Sequence, residues 1–177
     1  MIGLICGLVL AGCASAPPKA PAAPPADPAP QTQNKTGGDN AHRTFQLRKL
    51  DKATIKLGGH TFKVWIMDSP PKQQEGMMYL TRADVKSNEG MIFPQPEPEQ
   101  GVTFWMENTY LPLDIIFISP EKKILNIGEG KPLDETQIPA KGSVMYVVEL
   151  LGGTCKKMGI KPGAKLEVPS SVKATGF

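Results

Sequence analysis

The stretch from Ala14 to Arg43 decides what this chain can fold into. It opens "ASAPPKAPAAPPADPAP", with seven prolines in its first half and almost nothing apolar larger than alanine. Such a segment cannot bury enough surface to offset the entropy of ordering it, so it is expected to stay unfolded with polyproline character. A folded unit must therefore come from the residues beyond Arg43. Of the 177 residues, that leaves enough for one domain with a core of its own. Gly and Pro number 18 each, and the prolines crowd into particular segments, so they mark those segments and not the fold as a whole.

Ahead of the proline-rich run stands "MIGLICGLVLAG", Met1 to Gly12. It is apolar but too short to span a bilayer as a mature helix, and small residues come after it, as in a secretory signal. Leu10, Ala11, Gly12 and Cys13 resemble the bacterial lipoprotein box, in which cleavage exposes the cysteine for acylation. No Lys or Arg precedes the apolar run, a departure from the usual signal. The resemblance implies residues 1–12 as signal peptide, Cys13 as the palmitate-type lipidation site, and residues 13–43 as lipidated cysteine and disordered linker. The expected location is the cell envelope, facing the periplasm from the outer membrane if the host is Gram-negative, since Ala14 is not a retention aspartate. Where extended, the linker would advance about 3.1 Å per residue and hold a domain tens of ångströms from the membrane. Loss of Cys6 and acylation of Cys13 leave Cys155 as the remaining thiol, so no internal disulfide is expected.

From Thr44 the pattern becomes one of short strands. Phe62, Val64 and Ile66 alternate with Thr61, Lys63 and Trp65, a period-two signature. "SPPKQQEGMM" can open a short helix capped by Ser69. Gly90 to Phe93 reads as a strand that "PQPEPEQ" ends, because proline cannot donate to a ladder. Val102–Glu107, Leu113–Ile118, Ile124–Ile127, "SVMYVVELL" and Lys165–Val168 are further expected strands, with a turn through "SPEKK" and a loop or helical turn through "GGTCKKMGIKPG". The fold class predicted is mainly β, a compact antiparallel sandwich or barrel with one or two short helices over residues 44–169, followed by a loose tail at 170–177.

The segments "EGMMYLTR", "EGMIF", "FWMENT", "PLDIIFI" and "YVVELLGG" succeed one another in this order. Together they resemble domain-of-unknown-function family 192, an uncharacterised conserved family of bacteria and archaea. The resemblance spans roughly Ala53 to Val168 and implies a compact, mostly β domain without an established reaction. Matching positions are Gly76 and Met78; Gly90, Met91 and Phe93; Phe104, Trp105, Met106, Asn108 and Thr109; Pro112, Leu113 and Asp114; and Tyr146, Val147 and Glu149. Glu107, Gln73 and Gln74 depart from the basic residues common in the family.

These residues also carry readings of their own. Asp114 shares a strand face with Ile116 and Ile118, so its carboxylate needs hydrogen-bond partners or a raised pKa. It either braces a turn through backbone N–H groups or serves as a ligand-orienting acid. Glu149 alternates with Val147 and raises the same question. Were the two to converge, they would suit an envelope hydrolase on a glycan or peptide. Asn108 and Thr109 precede "YLP", where side chains bond backbone in turns. The candidate catalytic residues are Asp114 and Glu149. The candidate ligand-binding residues are Met91, Trp105, Met106, Asn108, Asp114 and Glu149.

Cu(I) handling by Met77, Met78, Met91 and Met106 ranks below gap-filling of the core. No zinc spacing, triad or phosphate loop occurs, so no metal or cofactor is expected. Net charge is +3 without a basic stripe, which argues against nucleic acid. The leading expectation is a lipid-anchored domain that binds an envelope ligand or protein without catalysis.

Overall fold

A computed structural model describes residues 39–176. The expected signal segment, Cys13 and most of the expected linker lie outside the described residues. The strands are β1 (Lys52–Leu57), β2 (His60–Ile66), β3 (Glu89–Glu99), β4 (Thr103–Phe104), β5 (Leu113–Ile118), β6 (Ile124–Gly130), β7 (Ile138–Pro139), β8 (Val144–Leu151) and β9 (Leu166–Glu167). The helices are α1 (Pro70–Glu75) and α2 (Thr154–Met158), with one 3-10 turn at Leu47–Lys49. Seven strands form one sheet in the order β6-β5-β8-β3-β2-β1-β9, and β4 pairs with β7 apart from it.

The sheet curls into a half-barrel. An antiparallel bridge between Lys123 and Lys165 draws its two edges together at one end. Backbone bonds from Leu166 N–H to Lys122 O (2.8 Å) and from Ile124 N–H to Ala164 O (2.9 Å) reinforce that junction. Inside the curl pack Ile55, Leu57, Phe62, Val64, Ile116 and Val148, among others. On the outer face of the central strands lies a second apolar layer that includes Trp65, Met91, Phe93, Ile115, Phe117 and Val147. Strands β5 and β8 are therefore covered on both faces, which is why "LDIIFI" reads as an almost unbroken apolar run while β1 alternates. A strap at 39–50 precedes β1 in the chain, and its Phe45, Leu47 and Leu50 pack on the outer layer.

The mainly β expectation holds, with four corrections. Strands β2 and β3 run parallel, Val64 opposite Gly90; the intervening segment with α1 supplies the crossover that parallel neighbours require. The prolines after Phe93 do not end β3. Ile92 O accepts from Met67 N–H on the β2 side, and strand groups alternate sides, so Pro94 turns its missing N–H toward the side β2 has vacated. Pro96 and Pro98 fall in the irregular stretch between Pro94 and Glu99, where the ladder with β8 shifts register. Strand Val102–Glu107 shrinks to Thr103–Phe104, because Asn108 adopts a left-handed turn at φ 51°. The outer limits also move. Arg43 is buried within the domain, so the linker ends earlier than residue 43. The tail is tied down, since Val172 is buried and Thr175 N–H donates to Asp68 O at 2.6 Å.

Gly90 sits where β3 and β8 meet. A Cβ there would collide with the Glu149 carbonyl and, at 2.6 Å, with the Leu150 side chain. Gly90→Ala is expected to lower stability by about 1–3 kcal/mol through overpacking. In urea unfolding the midpoint should fall with the slope unchanged; an unaltered midpoint would contradict this close approach.

Candidate functional site

Strands β5 and β8 place the two candidate acids, and their register decides the relationship. Asp114 pairs with Leu150, and Ile115 pairs with Glu149. Directly paired residues share a face and successive residues alternate, so the two carboxyls leave opposite faces of the sheet. The convergent pair that a hydrolase would use is not formed.

Asp114 points to the inner face, toward the start of α2. Its Oδ1 accepts the Gly153 N–H at 2.9 Å and its Oδ2 the Cys155 N–H at 2.7 Å. The carboxylate thus caps a helix on a distant part of the chain, satisfying donors that a helix start leaves free. Sequence reasoning has it brace the turn before it; the bracing is real but reaches across the fold. Beside it, burial first and the Asp114 carboxylate second push the Cys155 thiol up to about 12, so the thiol stays protonated at neutral pH.

Glu149 points to the outer face, opposite Met91 in the ladder. It is 4% exposed, and its Oε2 has no hydrogen-bond partner. Desolvation drives its carboxyl from about 4.5 to about 8, opposed by the charge of Arg43. Arg43 escapes sequence reasoning, which places it at the end of the linker. Its side chain is 1% exposed. Nη1 donates to the carbonyls of Gly76 (2.9 Å) and Met78, and Nε to Phe45 O at 3.2 Å. Nη2 lies 3.1 Å from Glu75 Oε2 as an ion pair, but not at a hydrogen-bonding angle. Burial lowers the Arg43 pKa, while Glu75 chiefly counteracts that. The Trp65 Nε1 is likewise buried without a partner, its ring covered by Lys52 Nζ at 4.2 Å from the centroid.

The remaining candidates separate. Met91 and Met106 are wholly buried in the outer apolar layer, as is Met77 nearly so. The Met106 sulfur occupies the space where Gly130 lacks a side chain. Asn108 is half-buried and works through its backbone: its carbonyl accepts the Tyr79 N–H at 2.9 Å. Thr109 Oγ1 donates to Glu107 O at 3.0 Å, closing the same turn. Trp105 stands 43% exposed at the head of that turn. Leu133, 46% exposed, sits on a loop bound to it by Met106 N–H to Asp134 O (3.1 Å) and Leu133 N–H to Thr109 O (3.0 Å). Tyr79 and Leu133 both hold left-handed backbone, at φ 61° and 60°, a strained state for bulky residues. Leu133 and Tyr79 carry no sequence signal, because neither strain nor exposure has a period. Among the described residues no group of three or more His, Cys, Asp or Glu side chains could hold a metal.

The two acids should respond differently to substitution. Asp114→Asn leaves an amide facing N–H donors and is expected to cost about 1–3 kcal/mol in chemical unfolding, at neutral pH; a loss below about 0.5 kcal/mol would contradict the capping role. For Glu149 the folded state holds a proton that the unfolded state releases between pH 4.5 and about 8. Its stabilisation is complete below pH 4.5 and is lost as pH rises through about 8. Unfolding free energy should therefore decline across that window by a few kcal/mol, and Glu149→Gln should flatten the decline. An identical pH profile in the variant would show that Glu149 titrates normally.

A family model described as DUF192, uncharacterized ACR, matches residues 53–168. A candidate transcription regulator from Sinorhizobium meliloti is 34% identical, with a TM-score of 0.63 over 67% of this chain and 95% of that one. A protein of unknown function from Novosphingobium aromaticivorans is 36% identical, with a TM-score of 0.64 over 68% of this chain and 88% of that one. No curated protein sequence matches. The match covers more than half of the chain, so the chain belongs to the DUF192 family.

Proposed function

We propose that this is a non-catalytic binding domain of the bacterial cell envelope, carried on an acylated Cys13 through the Pro/Ala-rich linker. The observation that carries the binding reading is the placement of Trp105 and Leu133. They are the two large apolar side chains exposed among the described residues, and backbone bonds pin their loops together. A tryptophan at such a rim is a frequent anchor in protein contacts. The acids argue against chemistry at the same place, since Asp114 is saturated by backbone donors and Glu149 is sealed on the opposite face. The lipoprotein-like motif supports the anchor, and by that resemblance the location is the periplasmic face of the outer membrane in a Gram-negative host.

Two measurements test the parts separately. With a photo-crosslinking residue in place of Trp105 in cells, a discrete protein adduct is expected, and none with the same residue in place of exposed Lys63 on β2. No adduct, or equal adducts at both positions, would remove the binding surface. Cys13→Ser should shift the protein from the membrane to the soluble fraction; retention in the membrane would overturn the anchor.

A further inference from the structure

Arg43 lies outside the matched segment 53–168, whereas every core group that receives it lies inside. The receiving groups are the Gly76 and Met78 carbonyls just past α1 and the Glu75 carboxylate. Two inward carbonyls and a carboxylate around a planar group with five donors match guanidinium geometry, which an ammonium would satisfy only in part. Without a cation these oxygens would be costly to leave without partners in so buried a place. Recognition continues along the backbone. Glu75 also accepts the N–H groups of Thr44 (2.6 Å) and Phe45 (3.0 Å), and Phe45 packs against the outer apolar layer. The core thus holds an arginine, two bend amides and an aromatic ring two residues on.

We propose that the domain core carries a peptide site for an Arg-x-Phe segment, built from Glu75 and the Gly76 and Met78 carbonyls that follow α1, and that the strap occupies it here as a ligand supplied in cis. The occupant in trans is an arginine-bearing peptide of the same pattern, bent after the arginine as the strap is. A cis segment enjoys a millimolar effective concentration, so a competing peptide binds only when the strap's arginine is removed or when it is present in large excess. This inference is independent of the Trp105 surface, which lies on other loops.

The test uses the full chain with Arg43→Ala and three capped tripeptides: Arg-Thr-Phe, Lys-Thr-Phe and Ala-Thr-Phe. The variant should melt several degrees below the wild type. Arg-Thr-Phe at millimolar concentration should restore part of that loss, Lys-Thr-Phe should need about tenfold more, and Ala-Thr-Phe should do nothing. Equal effects of all three, or none from any, would overturn the proposal. Should the variant not fold, hydrogen exchange on the wild type decides. Excess Arg-Thr-Phe should speed exchange at the Thr44 and Phe45 amides while leaving the β8 amides unchanged; unaltered exchange at Thr44 and Phe45 would overturn it.

Discussion

The one-residue offset between β5 and β8 is the constraint on which the rest of this domain depends. Because Asp114 lies opposite Leu150 and Glu149 opposite Ile115, two neighbouring strands, both buried on either face, each send one carboxyl out of the sheet on opposite sides. A slip of one residue would turn every side chain of β5 to the other face. Phe117 and Ile115 would then enter the curl, and Asp114 would lose α2. The register is thus specified by two polar anchors of different kind. Asp114 is held by two main-chain donors, the Gly153 and Cys155 N–H groups. Glu149 is desolvated and faces a cation across the outer layer.

This arrangement explains why the domain has two cores and not one. A curled sheet of seven strands needs covering on the convex side wherever its strands are apolar on that face. Strands β1 and β2 solve this with Lys52, Lys56, Thr61 and Lys63 turned outward. The central strands instead recruit the strap, the segment after α1 and the loops around β4 and β7. The strap is the least regular of these covers, with only a 3-10 turn at Leu47–Lys49. It is held by Arg43 and by the amides on Glu75 more than by any ladder, so it is also the cover most readily exchanged for another chain.

Much of this is legible in the sequence, for physical reasons that can be named. Leu113–Ile118 and Val144–Leu151 declare themselves because buried strands must be apolar on both faces. The short helix after Ser69 comes from Pro70 and Pro71 at its first turn. The prolines of β3 mislead, because whether a missing N–H matters depends on which neighbour lies on that side, and the end of β2 is a tertiary fact. The candidate site is less legible still. Asp114 and Glu149 stand out because acids in apolar runs demand partners, but their opposite faces are a property of pairing register. Arg43 stays hidden, since its partners are carbonyl oxygens, which every residue has and no pattern reveals. The expectation that its surroundings are linker rests on composition alone.

The two embedded carboxyls brace separate faces of one scaffold and do not act together. A double-mutant cycle of Asp114→Asn and Glu149→Gln, measured by urea unfolding at pH 6, tests it most directly. The two stability changes should sum to that of the double variant within about 0.5 kcal/mol, as for groups that share no partner. A coupling of more than about 1 kcal/mol would contradict the account and return the two acids to a common site.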